Sequence, residues 1–172
     1  MKTPAISLTI HSALNLAKAN LFGGSSDPFV VVYLDHKSGG KGKKTLADEP
    51  IFKTKVIDDN LSPEWEETFI VNLGMNMRPG VTQPTDFPTL RLEIYDYNNV
   101  MRGEFLGCCE IGPQTYFTKR HDDFQLGPSP KLSDRKNKLA QGELSVTFIL
   151  QDNMAANKSN DFRLGKFGTL EG

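Results

Sequence analysis

The sequence predicts an all-β fold, an eight-stranded antiparallel β-sandwich. Two observations carry that expectation. Apolar residues recur at a spacing of two in eight short runs, and Gly, Pro, Asn, Asp and Ser fill the gaps between them. In addition, no segment shows a long helical period. A chain of 172 residues, 38% apolar and 24% charged, has the size and balance of one soluble globular domain.

The runs follow one another along the chain. Ile6, Leu8 and Ile10 share one face of a first strand. Residues 29–34 form a Val-rich run, the pattern of a strand covered on both sides. Phe52, Thr54 and Val56 alternate with Lys53 and Lys55 in a third strand. Trp65, Phe69, Val71 and Leu73 alternate with Glu66, Thr68 and Asn72 in a fourth, where Glu67 is out of pattern. Leu90, Leu92 and Ile94 alternate with Arg91 and Glu93 in the fifth. Residues 105–111 and 124–126 supply the sixth and seventh, and Leu144, Val146, Phe148 and Leu150 the eighth. Turn-forming residues occupy 23–26, 38–42, 58–63, 74–88 and 97–103. The pattern dissolves after Leu150, which divides the chain into a folded unit, 1–150, and a polar tail, 151–172, expected to be flexible.

Composition narrows the function classes. Twenty Lys and Arg against 21 Asp and Glu leave a net charge of −1, which argues against nucleic acid as a partner. The two cysteines are neighbours, Cys108 and Cys109. In a strand they face opposite ways, so they read as reduced packing residues. The first residues alternate apolar and polar, unlike a secretory leader, and no run of 18 apolar residues occurs. A cytoplasmic protein whose membrane contact is peripheral is expected. His11, His36 and His121 are far apart in the chain, and no nucleophile, phosphate-loop or zinc motif accompanies them, so no enzymatic activity is expected.

The carboxylates and amides concentrate in three gaps. Asn20 and Asp27 follow the first strand, Asp58, Asp59 and Asn60 the third, and Asp96, Asn98 and Glu104 the fifth. Strands that run up and down gather these three loops at one rim. Each residue alone reads as a solvated turn. Together, oxygen donors without His or Cys point to calcium over zinc or copper.

Three motifs in this order resemble the C2 domain, over residues 3–150. They are Ser26-Asp27-Pro28-Phe29 ahead of the Val-rich strand, Asn60-Leu61-Ser62-Pro63-Glu64-Trp65, and Tyr95-Asp96-Tyr97-Asn98 followed by Glu104-Phe105-Leu106-Gly107. The resemblance implies a Greek-key sandwich of type II topology, because the first strand leads directly into the Asp27 loop. That is the circular variant of cytosolic phospholipases and HECT-type ubiquitin ligases. It also implies a metal site from Asp27, Asp96, Asn98 and Glu104, with Asp59, Asn20 and the Tyr97 carbonyl as further donors. The first-loop carboxylate of the family falls on Leu21 or Asn20, so one weakly held Ca2+, completed by lipid, is the expectation. Leu21, Phe22, Val100 and Met101 are the implied membrane-inserting tips. Lys53 and Lys55, with Lys43 and Lys44 in the adjoining loop, form the implied anionic-lipid face. The resemblance therefore implies a monomeric, non-catalytic module that docks reversibly on a phospholipid membrane surface. The competing reading is a calcium-independent protein-interaction or phosphoinositide-binding module with a degenerate calcium site.

Overall fold

In the computed structural model, residues 4–19, 24–38, 43–74, 84–98 and 103–151 are described. Two antiparallel sheets pack face to face. The first contains β1 (Ala5–Leu14), β5 (Glu64–Asn72), β8 (His121–Gln125) and β9 (Glu143–Gln151), in the order β5-β1-β9-β8. The second contains β2 (Pro28–Ser38), β3 (Lys43–Thr45), β4 (Phe52–Lys53), β6 (Thr89–Asp96) and β7 (Phe105–Ile111). Its order is β3-β2-β6-β7, with β4 also on β2.

All eight expected strands are present, and the short segment β3 is an addition. It pairs with the far end of β2 (His36 opposite Thr45), whereas β4 pairs with the near end (Val31 opposite Lys53). The two segments therefore share one lane, and the sandwich keeps eight lanes. β1 opens straight into the loop carrying Asp27, the connectivity that the circular topology requires.

Period two drives the packing. Ile6, Leu8 and Ile10 of β1, with Phe69, Val71, Val146 and Phe148, face Val30, Val32, Leu34, Leu92 and Ile94 across the interior. Phe52 and Phe69 stack between the sheets at 4.7 Å. Each such side chain contributes about 1.5–3 kcal/mol when fully buried. Cys108 and Cys109 are both buried and form no disulfide, as their adjacency implied.

Three departures from the pattern have physical causes. The third strand was expected over Phe52, Thr54 and Val56, but the regular strand ends at Lys53, although the Thr54 N–H still donates to the Val30 carbonyl at 2.9 Å. There the Thr54 hydroxyl accepts the Val30 N–H at 2.8 Å and donates to the Lys55 carbonyl, so a side chain replaces a rung of the ladder. Glu67, out of pattern in the sequence, is buried because its carboxylate accepts the Lys55 N–H at 2.8 Å. Arg91 and Glu93, on the outer face of β6, are also buried. The guanidinium donates to Asp35 at 2.8 Å, to Glu93 and to the Ala47 carbonyl, and lies 4.1 Å from the Tyr33 ring centre. Ser129 donates to Glu93 at 2.6 Å, which ties the segment after β8 over this face.

A short helix, α1 (Pro113–Thr118), follows β7. Proline at its start suits a helix N-terminus, where an N–H has no partner to lose. Six residues are too few to show a helical period in the sequence.

Candidate functional site

The described parts of loop one (15–27), loop two (54–63) and loop three (97–104) meet at one end of the sandwich. Backbone bonds join the first two at both ends of loop one. Ala13 N–H donates to Pro63 O, Leu16 N–H to Leu61 O, and Asn60 N–H to Ser26 O at 2.9 Å. Ser26 is fully buried, its hydroxyl accepting the Ala19 N–H and donating to the Ala17 carbonyl. That dual role explains a small hydroxyl residue ahead of Asp27-Pro28. The Tyr97 N–H donates to the Asp27 carbonyl at 2.9 Å, bringing in loop three.

The carboxylates extend this into a relay. Asp96 Oδ1 accepts the Asp27 N–H at 2.6 Å, and Asp27 Oδ1 accepts the Asp59 N–H at 2.6 Å. Asp59 Oδ1 in turn accepts the Ser25 N–H. Each acid thus holds a backbone amide of a different loop. Asp59 adopts φ +50°, a left-handed conformation that Asp tolerates better than most side chains.

Among the described residues, no Lys, Arg or His closes an ion pair with Asp27, Asp59, Asp96 or Glu104. The electrostatics register the crowding. Burial raises the Asp96 carboxyl above its ordinary value, the charges of Asp27 and Glu104 add to the rise, and the Asp27 N–H opposes it. Asp59, fully exposed, is lowered by its bonds from Ser25 and, at longer range, by Lys18. Glu104 enters through the backbone, its carbonyl accepting the Asp96 N–H at 2.8 Å. Gly103 permits that approach, since a Cβ there would fall 1.9 Å from the Asp96 carbonyl oxygen. In the sequence, the signal for this approach is the glycine directly before Glu104.

Asp27, Asp59, Asp96 and Glu104 are therefore brought to one rim, with Tyr97 and Asn98 exposed beside them. Asn20, Leu21, Phe22, Val100 and Met101 lie outside the described residues. Among the described residues, no three His, Cys, Asp or Glu side chains already converge as ligands of one ion. Lys53 is half-buried and Lys55 exposed on the lane beside β2, while Lys43 and Lys44 are described only through their backbone in β3. His11 and His121, isolated in the sequence, prove to be neighbours, with ring centres 5.9 Å apart. No helix among the described residues is long and apolar enough to cross a membrane.

Comparison with known proteins agrees with this architecture. The C2 domain family model matches residues 5–126, and the chain belongs to that family. The mouse RasGAP-activating-like protein 1 is 31% identical over 138 residues, 80% of this chain and 14% of that protein. The Drosophila melanogaster protein kinase C, eye isozyme, is 31% identical over 108 residues, 62% of this chain and 13% of that protein. The chain thus spans about one-seventh of the length of these relatives. Among solved structures, a C2 domain of plant extended synaptotagmin 1 superposes with a TM-score of 0.59 at 24% identity, covering 88% of this chain and 97% of that one. Human GIVD cytosolic phospholipase A2 superposes with a TM-score of 0.58 at 22% identity, covering 88% of this chain and 16% of that one. Calcium and phospholipid binding are typical of the family.

Proposed function

We propose that this domain is a non-catalytic module that docks reversibly on phospholipid surfaces through the three-loop rim, with calcium as the bridge. The observation that carries the reading is the relay of Asp96, Asp27 and Asp59, which commits Oδ1 of each to a backbone amide and pairs none of them with a described basic side chain. The donors are hard oxygens, the set that calcium takes and zinc or copper do not favour. The residues that hold the ion are Asp27, Asp96 and Glu104, with Asp59, Asn98, Asn20 and the Tyr97 carbonyl as supplementary donors. Few carboxylates mean modest affinity, which a lipid phosphate raises by joining the shell. A bound dication also reverses the sign of the rim for anionic headgroups. Leu21, Phe22, Val100 and Met101 supply apolar contact there, each worth about 1.5–3 kcal/mol if fully buried.

A second reading, favoured by the exposure of Lys55 beside Lys53, is calcium-independent binding of anionic lipid through the lysine lane. Each lysine near an anionic leaflet is worth roughly 1 kcal/mol. Sedimentation with anionic vesicles separates the readings. Pelleting in calcium that is lost in chelator and in Asp96→Asn supports the rim. Pelleting that survives chelator and is abolished by Lys53→Ala/Lys55→Ala moves the site to the lysines. Absence of pelleting in both buffers rejects both.

A further inference from the structure

On the outer face of the four-stranded sheet, one row of polar side chains crosses all four strands. Glu66 (β5) meets His11 (β1), His11 meets Thr147 (β9), Thr147 meets His121 (β8), and His121 meets Asp123 of its own strand. The contacts are Glu66 Oε2 to His11 Nδ1 at 2.7 Å, His11 Nε2 to Thr147 Oγ1 at 2.7 Å, Thr147 Oγ1 to His121 Nδ1 at 3.1 Å, and His121 Nε2 to Asp123 Oδ1 at 3.2 Å. Both imidazoles therefore aim one nitrogen at the same hydroxyl and the other at a carboxylate.

The protons in this row do not balance. Four contacts need four protons, whereas two neutral imidazoles and one hydroxyl bring three. An ionised carboxylate can only accept, so Glu66 draws the N–H of His11 to Nδ1 and Asp123 draws that of His121 to Nε2. Two ring lone pairs then face Thr147, whose single proton satisfies one of them. The row is one proton short, a place that a protonated ring fills or that a metal cation shared by the two rings can take. A nitrogen lone pair from each ring, with a carboxylate fixing the tautomer behind it, is the way proteins present histidine to a metal.

Geometry and backbone agree. A dication about 2.0–2.1 Å from one nitrogen of each ring would hold the ring centres roughly 5–6 Å apart, and they are 5.9 Å apart. His11 sits where the register of β1 shifts against both β5 and β9, between Ile10 and Ser12. Bulges of this kind re-aim a side chain. Across the bulge, Glu66 holds φ +48°, a strained conformation for Glu. With side chains 29% and 50% exposed, His11 and His121 leave the position open to solvent.

We propose that His11 Nε2, His121 Nδ1 and the Thr147 hydroxyl form a binding site for a transition-metal dication of the zinc, copper or nickel class, with Glu66 and Asp123 as supporting carboxylates. Water completes the coordination shell. The site is separate from the loop rim in both position and chemistry, because imidazole suits these metals and calcium prefers oxygen. Protons compete for the same two nitrogens, so affinity falls on acidification.

The test is calorimetric titration of the full chain with zinc chloride in excess calcium, which leaves the loop carboxylates out of the contest. One zinc per chain is expected. His121→Gln should abolish the heat, and Glu66→Gln should weaken affinity by ~10–100-fold, the usual effect of losing a supporting carboxylate. Both substitutions fall on side chains at least half exposed, 50% and 62%, so the fold persists. Copper loaded in place of zinc should show magnetic coupling to imidazole nitrogen that His11→Gln reduces. No zinc heat in the unaltered chain overturns the proposal, as does affinity unchanged in both His121→Gln and Glu66→Gln. Vesicle binding is not a readout here, so the outcome is independent of the rim's function.

Discussion

Two regions of this domain gather carboxylates and settle their charge in different ways. On the outer face of the second sheet, Asp35 and Glu93 enclose Arg91, and all three are buried. Burial works against the Arg91 charge, yet the bonds to Asp35 and Glu93 outweigh it and hold the guanidinium more firmly protonated than usual. At the rim, Asp27, Asp59 and Asp96 receive backbone N–H groups and no described ion pair. Backbone amides orient an acid without neutralising it. The first region is complete within the chain. The second keeps a charge requirement that no described side chain meets.

Removing Arg91 tests the closed region and has the largest expected effect. Arg91→Met should destabilise the domain by about 3–5 kcal/mol, because two buried carboxylates lose their cation. Chemical denaturation reads this, and a loss below about 1 kcal/mol would show that the network matters little. Next in size is Gly103→Ala, which forces loop three away from the Asp96 carbonyl. Overpacking of this kind costs about 1–3 kcal/mol, and calcium-dependent vesicle binding should weaken with it. Unchanged stability and binding would show that the turn adapts freely.

Asp96→Asn gives the smallest change in stability and sharpens the contrast most. The amide oxygen can still accept the Asp27 N–H, and the change removes a buried charge crowded by Asp27 and Glu104, so stability should fall less than in either variant above. Calcium affinity should fall at least about tenfold, or roughly 1.4 kcal/mol, as ligand charge is lost. The pH response carries the same signature. Asp96 is raised in the folded state, so between its unfolded and folded values the folded chain binds more protons, and stability declines as pH rises through that window. Asp96→Asn should flatten that slope in the calcium-free protein. Calcium affinity should decline as pH falls through the same window. A slope that persists in the variant would mean that other carboxylates govern it.

The strands were legible because burial follows a period of two, and the rim because Asp and Asn cluster in alternate gaps. What escaped were side chains that act on backbone. Thr54 reads as a strand former, and its own N–H does donate to the Val30 carbonyl, yet its hydroxyl takes the Val30 N–H in place of a backbone oxygen. Arg91 and Glu93 read as the polar half of an alternation, since nothing in their own neighbourhood announces that Ser129 will fold over them. His11 and His121 looked isolated because 110 positions separate them, a distance that the sheet order β1-β9-β8 erases. The carboxylates themselves were visible, but not which amide each one holds.

The gap between β3 and β4 has a consequence for how the domain keeps company. A sheet margin with unpaired amides invites a foreign strand, and here all four margins are blunted differently. The β3/β4 lane is broken in the middle. On β7, Cys108 exchanges bonds with Gly127, and the Leu106 carbonyl accepts the Gln141 N–H. On β5, the bulge and the left-handed Glu66 twist the row out of line. β8 is five residues long and carries Asp122 and Asp123. Such a sandwich can crowd against copies of itself, or against other proteins, without zipping into them.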